Sequence, residues 1–355
     1  MKVTYFGTYE RAYPRNAQVI SCLRGAGVEV VEQHIGVWEG QRNAWAAGPG
    51  TAFRLAGAEA RLLARPAEGD AVLVGYPGHL DLAAARRAAR GRPVIFNPLV
   101  SLADTLVSDR GRFRTGSLPG RLLEEVDRRA FRGADLVVAD TSAHAAFLSG
   151  LAGHDRFEVC FVGAEDRLFR PPWEPADPFV ALFVGKLIPL QGVETIVAAA
   201  RLAPDIRFRV VGSGQLEPLL RDAPANVERI PWIDYELLPE ELRRAGCALG
   251  IFGTSAKAAR VIPNKAFQAI ACGAPLVTAD TPAARELLVD GESALLVPPG
   301  DAEALAAALR RLADDPELAR RVARGGHRAY AQLASEAVLG PRWRDLIERA
   351  IAAKS

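Results

Sequence analysis

Short apolar runs recur along almost the whole chain, spaced so that one helix fits between each pair. In the first half they are "KVTYFG", "VEVVEQHI", "AVLVGY", "PVIFN", "ADLVVAD" and "FEVCFV"; in the second, "FVALFVG", "FRVVGSG", "VERIPW", "CALGIFG", "APLVTAD" and "SALLVPP". Each run is continuous rather than strictly alternating, as in strands covered on both faces of a parallel sheet. Stretches with helical spacing lie between them, such as "GRLLEEVDRRAFRGA" and "GVETIVAAARLA". This pattern predicts an α/β protein with two βαβ sets, hence two Rossmann-like, doubly wound parallel sheets with right-handed crossovers.

The proline-rich "RLFRPPWEPADP", Arg167 to Pro178, reads as an extended linker. It places an N-terminal domain at 1–170 and a second domain at 178–330. A helical segment at 331–355, with its last helix around Trp343 to Ala352, is free to pack back on the N-terminal domain. Two such domains would face each other across a cleft, with ligands at the C-terminal ends of the strands.

Composition narrows the class. The chain has 355 residues, 49% hydrophobic and 24% charged, which fits a globular protein of two domains. A net charge of +2 gives no reason to expect a nucleic-acid partner. No apolar run is long enough to span a membrane, and "MKVTYFG" opens directly on a strand, so a cytoplasmic protein without a signal peptide is expected. Cys22, Cys160, Cys247 and Cys272 form no closely spaced pair and read as reduced interior residues rather than zinc ligands. Of five lysines, two are terminal, and Lys186, Lys257 and Lys265 cluster in one part of a chain that otherwise uses arginine.

The residues just after each strand carry the candidate chemistry. Gly185 and Lys186 follow "ALFV", and a helix begins near Gly192; this is either an anion site or an ordinary turn with a solvated lysine. Gly212, Ser213 and Gly214 form a tight turn that is no dinucleotide fingerprint. In "RVIPNKAFQAIACG", Pro263 stops any preceding helix and Asn264 can cap the next. Lys265 then falls in the first turn of a buried helix, where the helix dipole disfavours a cation. Arg260 lies close upstream, and no acidic residue occurs between Phe252 and Ala279, so the pair points to a bound phosphate. No Asp-x-Asp pair exists, so neither a metal nor another cofactor is expected. His79, in "GYPGHLD", reads as a cleft residue or a loop histidine. Asp104 reads equally as a hydroxyl-orienting group and as a helix cap.

Together, "LFVGKLIPLQGVETIVAAARL", "RVVGSGQ", "PNKAFQAIACGAPLVTADTPAARELLVDGESALLVPPGD" and "VGAEDRLFRP" resemble retaining glycosyltransferases of family 4, over roughly residues 155–350, in a subgroup with "PNK" in place of the first motif glutamate. The resemblance implies the GT-B fold. It also implies hexosyl transfer, with retention of configuration, from a nucleotide-sugar co-substrate such as a UDP- or GDP-sugar to a small-molecule, glycan or lipid-linked acceptor. The donor site would comprise Gly185, Lys186, Gln191, Gly212, Ser213, Trp232, Ile233, Arg260, Asn264, Lys265 and Gln268. Gln191 stands where the family usually has a lysine. Arg260 and Gln268 stand where it has the two motif glutamates. Gly7, Tyr9, Arg11, Arg15 and Asn97 would lie on the acceptor side, with His79, Asp104, Lys186 and Lys265 as catalytic candidates. The missing carboxylates leave open a non-catalytic nucleotide-sugar binding protein, or an epimerase or hydrolase of the same fold.

Overall fold

A computed structural model describes residues 1–38 and 49–354. They divide into two compact units: Met1–Val162 with Glu336–Ser355, and Gly163–Ser335.

In the first unit the strands are β1 (Lys2–Gly7), β2 (Glu29–His34), β3 (Ala71–Val74), β4 (Val94–Phe96), β5 (Leu136–Ala139) and β6 (Phe157–Val159). They form one parallel sheet in the order β2-β1-β3-β4-β5-β6. The helices are α1 (Pro14–Gly25), α2 (Pro49–Ala64), α3 (Leu82–Ala89), α4 (Leu118–Gly133) and α5 (Ser142–Ala152). The pleat explains the unbroken apolar runs. Val3, Tyr5, Leu73 and Ile95 enter one layer with α1, whereas Phe6, Val72, Val74 and Phe96 enter the other with α3, α4 and α5.

The second unit repeats the plan with β7 (Val180–Val184), β8 (Arg207–Val211), β9 (Val227–Ile230), β10 (Cys247–Leu249), β11 (Leu276–Ala279) and β12 (Leu295–Val297). Its parallel order is β12-β11-β10-β7-β8-β9. Here the helices are α6 (Val193–Leu202), α7 (Leu238–Arg244), α8 (Asn264–Ala271), α9 (Ala302–Asp314) and α10 (Pro316–Leu333). All twelve runs read from the sequence are strands, most of them ending sooner than the apolar letters do. The overhangs, such as "GY" after β3 and "GSG" after β8, are the turns at the C-terminal edge.

The proline-rich stretch is not a free extended linker. Phe169 and Trp173 are buried, and the Trp173 indole N–H donates to the Ala245 carbonyl at 2.7 Å, so these residues belong to the second unit. The four cysteines are unpaired and buried.

The chain returns to the first unit in α11 (Glu336–Ala352), which lies on α1. Its Trp343 is fully enclosed with Val19, Leu23 and Leu73, and the Arg15 guanidinium stands 5.4 Å from its ring centroid. Trp343→Ala should therefore destabilise the first unit by about 3–5 kcal/mol, as for other buried aromatics. Urea titration followed by far-UV circular dichroism measures this, and a loss below about 1 kcal/mol would mean that α11 adds little to that core.

Candidate functional site

In the second sheet the strand order reverses between β10 and β7, and doubly wound sheets bind ligands at the carboxyl ends of the strands at such a reversal. The chain leaves β7 through Gly185, at φ +155°, and leaves β8 through Gly212, at φ +144°. A Cβ on Gly212 would lie 1.9 Å from the Gly185 carbonyl oxygen, so the two turns touch backbone to backbone. Only glycine permits both that conformation and that approach.

Lys265 occupies the space beside them. It is the second residue of α8, and its ammonium lies 3.4 Å from the centroid of the Phe183 ring on β7. A Cβ on Gly185 would stand 3.1 Å from the same nitrogen. The residue keeps some exposed surface, but Nζ itself is sealed from solvent and makes no hydrogen bond. Burial pushes its pKa well below the usual lysine value. The ring face attracts the cation electrostatically, yet it leaves three N–H donors unused. The first turn of α8 adds a positive dipole end. An anion entering here would meet an unshared amine nitrogen and favour its protonated form.

The other expected donor-side residues lie on the same edge. Lys186 and Ser213 are exposed on the turns that follow β7 and β8, and the Leu187 amide donates to the Ser213 carbonyl at 3.0 Å. Gln191 is buried, its Oε1 has no hydrogen-bond partner, and its backbone carbonyl accepts from Phe252, just beyond β10. Arg260 ends a single 3-10 turn ahead of α8. Asn264 does not cap α8: the N-cap position is Pro263 and Asn264 is already helical. Gln268 is buried one turn after Lys265, and its Nε2 donates to the Tyr235 hydroxyl at 3.3 Å. Trp232 is 61% exposed, Ile233 half-buried, and both follow β9.

Two participants escape sequence reasoning. Phe183 reads only as a strand interior residue, yet it is the platform under Lys265. Tyr235 opens a single 3-10 turn, Tyr235–Leu237, far from "PNK" in the chain. The Tyr235 phenol is pushed up by burial and by the carboxylate of Glu165, itself buried and paired with Arg167 at 3.0 Å. Only the spatial meeting of Tyr235 and Gln268 identifies it.

In the first unit several expected acceptor-side residues are structural. Arg15 is fully buried; its Nε donates to Asn97 Oδ1 at 3.0 Å and its guanidinium ends to the carbonyls of Phe161 and Cys160. Arg15 and Asn97 thus tie α1 to the strand ends from inside. Tyr9 is buried, with its hydroxyl on Glu32, which also pairs with the exposed Arg11 at 2.8 Å. Gly7, at φ +127°, makes room for the buried Asp81, whose carboxylate takes the Thr8 amide at 2.7 Å. His79 is not on an exposed loop. It stands edge-on to Phe96 and Phe131 with Asp127 3.3 Å away, and burial pulls its pKa down against that carboxylate. Asp104 is buried at the start of a π-helical turn, where its amide donates to Ser101 Oγ at 3.0 Å.

Comparison with known proteins bears on the family and the fold. Residues 178–315 match the family described as Glycosyl transferases group 1. The lipopolysaccharide core biosynthesis glycosyltransferase LpsE of Rhizobium meliloti is 26% identical over 73% of this chain and 77% of its own length. A D-inositol 3-phosphate glycosyltransferase of Acidothermus cellulolyticus is 31% identical over 72% of this chain and 64% of its own. Other matched relatives are spanned over little more than half their length, such as 52% for the Rhizobium LpsD. In three dimensions, sucrose-phosphate synthase from Thermosynechococcus elongatus superposes with a TM-score of 0.77 at 19% identity, covering 99% of both chains. Anabaena HepE in complex with UDP-glucose superposes at 0.72 and 16% identity, covering 99% of this chain and 100% of that one. The chain thus has the GT-B fold of these solved structures, and its residues 178–315 are similar to the family described as Glycosyl transferases group 1.

Proposed function

We propose that the protein transfers a hexose from a nucleotide-sugar donor to an acceptor, with retention of configuration and without a metal ion. The observation that carries this reading is the sealed, unpartnered ammonium of Lys265 at the switch point of the second sheet. A nucleoside diphosphate supplies the anion that this nitrogen lacks. Lys186 and Arg260, on the neighbouring turns, would add charge to the same group. Gln268, which can both donate and accept, would hold a ribose hydroxyl beside Tyr235. The relatives named for sugar transfer, and the HepE complex with UDP-glucose, support the donor class.

The reaction follows from where charge develops. The bond between the anomeric carbon and the phosphate oxygen breaks, leaving negative charge on the diphosphate. Fixed cations stabilise that charge more than they stabilise the bound donor. The acceptor oxygen bonds to the anomeric carbon on the same face, and its proton passes to the departing phosphate oxygen. The first unit supplies the acceptor site in this scheme. The relatives named for lipopolysaccharide core and for D-inositol 3-phosphate make a glycan or a phosphorylated polyol a reasonable acceptor class.

Two substitutions separate the roles in one calorimetric titration. Lys265→Met should weaken UDP about five-fold or more, because a cation beside a phosphate is worth about 1–4 kcal/mol and about 1.4 kcal/mol is one decade. Uridine should bind both forms alike. Gln268→Ala should weaken UDP and uridine equally, by about 1 kcal/mol for one hydrogen bond. Equal losses of both ligands in Lys265→Met would make Lys265 structural. Stability should move oppositely: the unfolded chain keeps the lysine proton up to about 10.5, whereas the empty folded site releases it earlier. The unfolded state therefore binds more protons in that window, so stability rises with pH through it. Lys265→Met should melt higher than wild type at neutral pH, by a margin that narrows as pH approaches 10.5.

Slow hydrolysis of an α-linked UDP-hexose, followed by proton NMR with and without EDTA, tests the reaction itself. The α-anomer should appear first, at a rate EDTA does not change. First release of the β-anomer, or loss of turnover that magnesium restores, would contradict the retaining, metal-free scheme.

A further inference from the structure

Behind the hydrogen bond between Gln268 and Tyr235, 3.3 Å long, stands a turn of the second unit that fixes which way the bond runs. The amides of Leu168 and Phe169 donate to the Glu165 carbonyl at 3.0 and 2.9 Å, so the chain doubles back over residues 165–169. Phe169, fully buried, stands edge-on to the Tyr235 ring, with centroids 5.5 Å apart. Glu165, also buried, puts its carboxylate on the Tyr235 hydroxyl. The turn is itself anchored. The Tyr330 hydroxyl, on α10, reaches the Asp166 carboxylate and the Ala164 carbonyl, and Arg167 pairs with Glu165 at 3.0 Å. Tyr235 is thus held at its ring and at its oxygen by one braced turn.

Donor counting then fixes the glutamine. A carboxylate only accepts, and a phenol has a single proton. Between the Glu165 carboxylate and the Gln268 amide, that proton goes to the charged acceptor, which makes the stronger bond. The phenol oxygen is left to accept, and it takes an N–H from Gln268 Nε2. The two ends of an amide diverge, so Oε1 is turned away from Tyr235. We propose, resting on the donor-site reading above, that Tyr235, held by Glu165, is a positioning residue that locks Gln268 as an acceptor for a ribose hydroxyl, so that the site selects ribonucleotide donors over their deoxy counterparts. A free glutamine could flip and donate to a ring oxygen as readily as accept from a hydroxyl. A locked one cannot. An analogue without the hydroxyl leaves Oε1 unpaired, and a site built around a hydrogen bond rejects such an analogue. A glutamate at 268 would need no lock, since both of its oxygens accept.

Calorimetric titration of the full chain with UDP and with its 2′,3′-dideoxy analogue tests this. The wild type should prefer UDP by about five-fold or more, the usual worth of one hydrogen bond. Tyr235→Phe keeps a ring against Phe169 but frees the amide. It should lose most of that preference, by weakening UDP rather than by tightening the analogue. Glu165→Gln, whose amide can donate to the phenol oxygen, should move the preference the same way. Tyr235→Phe/Gln268→Glu should restore it, because either carboxylate oxygen accepts. An unchanged preference in Tyr235→Phe would overturn the relay and leave the donor site standing. So would equal losses of both ligands, which would make Tyr235 merely structural, or failure of the glutamate to rescue. A wild type that binds neither ligand would overturn the donor-site reading and the relay together.

Discussion

A cation enclosed by protein must find partners or become destabilising, and among the described residues Arg15 and Lys265 meet that problem differently. Arg15 is fully buried and spends its donors on Asn97 and two backbone carbonyls, with the Trp343 ring alongside. It is an internal brace between α1, β6 and the end of β4. Lys265 has an equally sealed nitrogen and an aromatic ring beneath it, but no acceptor at all. Leaving buried donors unpaired is expensive. The folded second unit bears that cost at the one place where its topology opens toward a ligand. In the proposed function, an anion at this site would remove that cost.

The position depends on the backbone around it. Parallel strands deliver their C-terminal ends to one edge, and the reversal between β10 and β7 leaves a gap there. Gly185 and Gly212 let the turns after β7 and β8 press together, which fixes how close the chain comes to the Lys265 nitrogen. The β7 and β8 turns, Phe183 and the start of α8 therefore act as one rigid frame. Rigidity matters because charge stabilisation in a transition state is effective only when the charges need no rearrangement.

Much of this was legible in the sequence because burial on both faces of a parallel sheet leaves unbroken apolar runs, and all twelve became strands. The lysine in "PNK" could be singled out because a cation in the first turn of an apolar helix contradicts local electrostatics. What the sequence concealed were contacts across large separations. Phe183 and Lys265 are far apart in the chain, as are Tyr235 and Gln268. Arg15 and Asn97 look like strand-end polar residues until the fold encloses them. His79 looks like a loop residue until Phe96 and Phe131 close on it. Asn264 has the right chemistry to cap α8, but the helix starts one residue earlier than a capping role requires. The prolines after Arg167 suggested a free linker, whereas the buried Phe169 and Trp173 bind that segment to the second unit.

The central claim is that the Lys265 amine waits, unpartnered, for a phosphate. Proton linkage tests it most directly, because an anion that fills the site must raise the depressed pKa of this amine. Titration of UDP into the protein at mildly alkaline pH, in two buffers of different ionisation enthalpy, reads the number of protons taken up. The account predicts net uptake when UDP binds the wild type, and none when uridine binds or when UDP binds Lys265→Met. Binding of UDP to the wild type without proton uptake would contradict it.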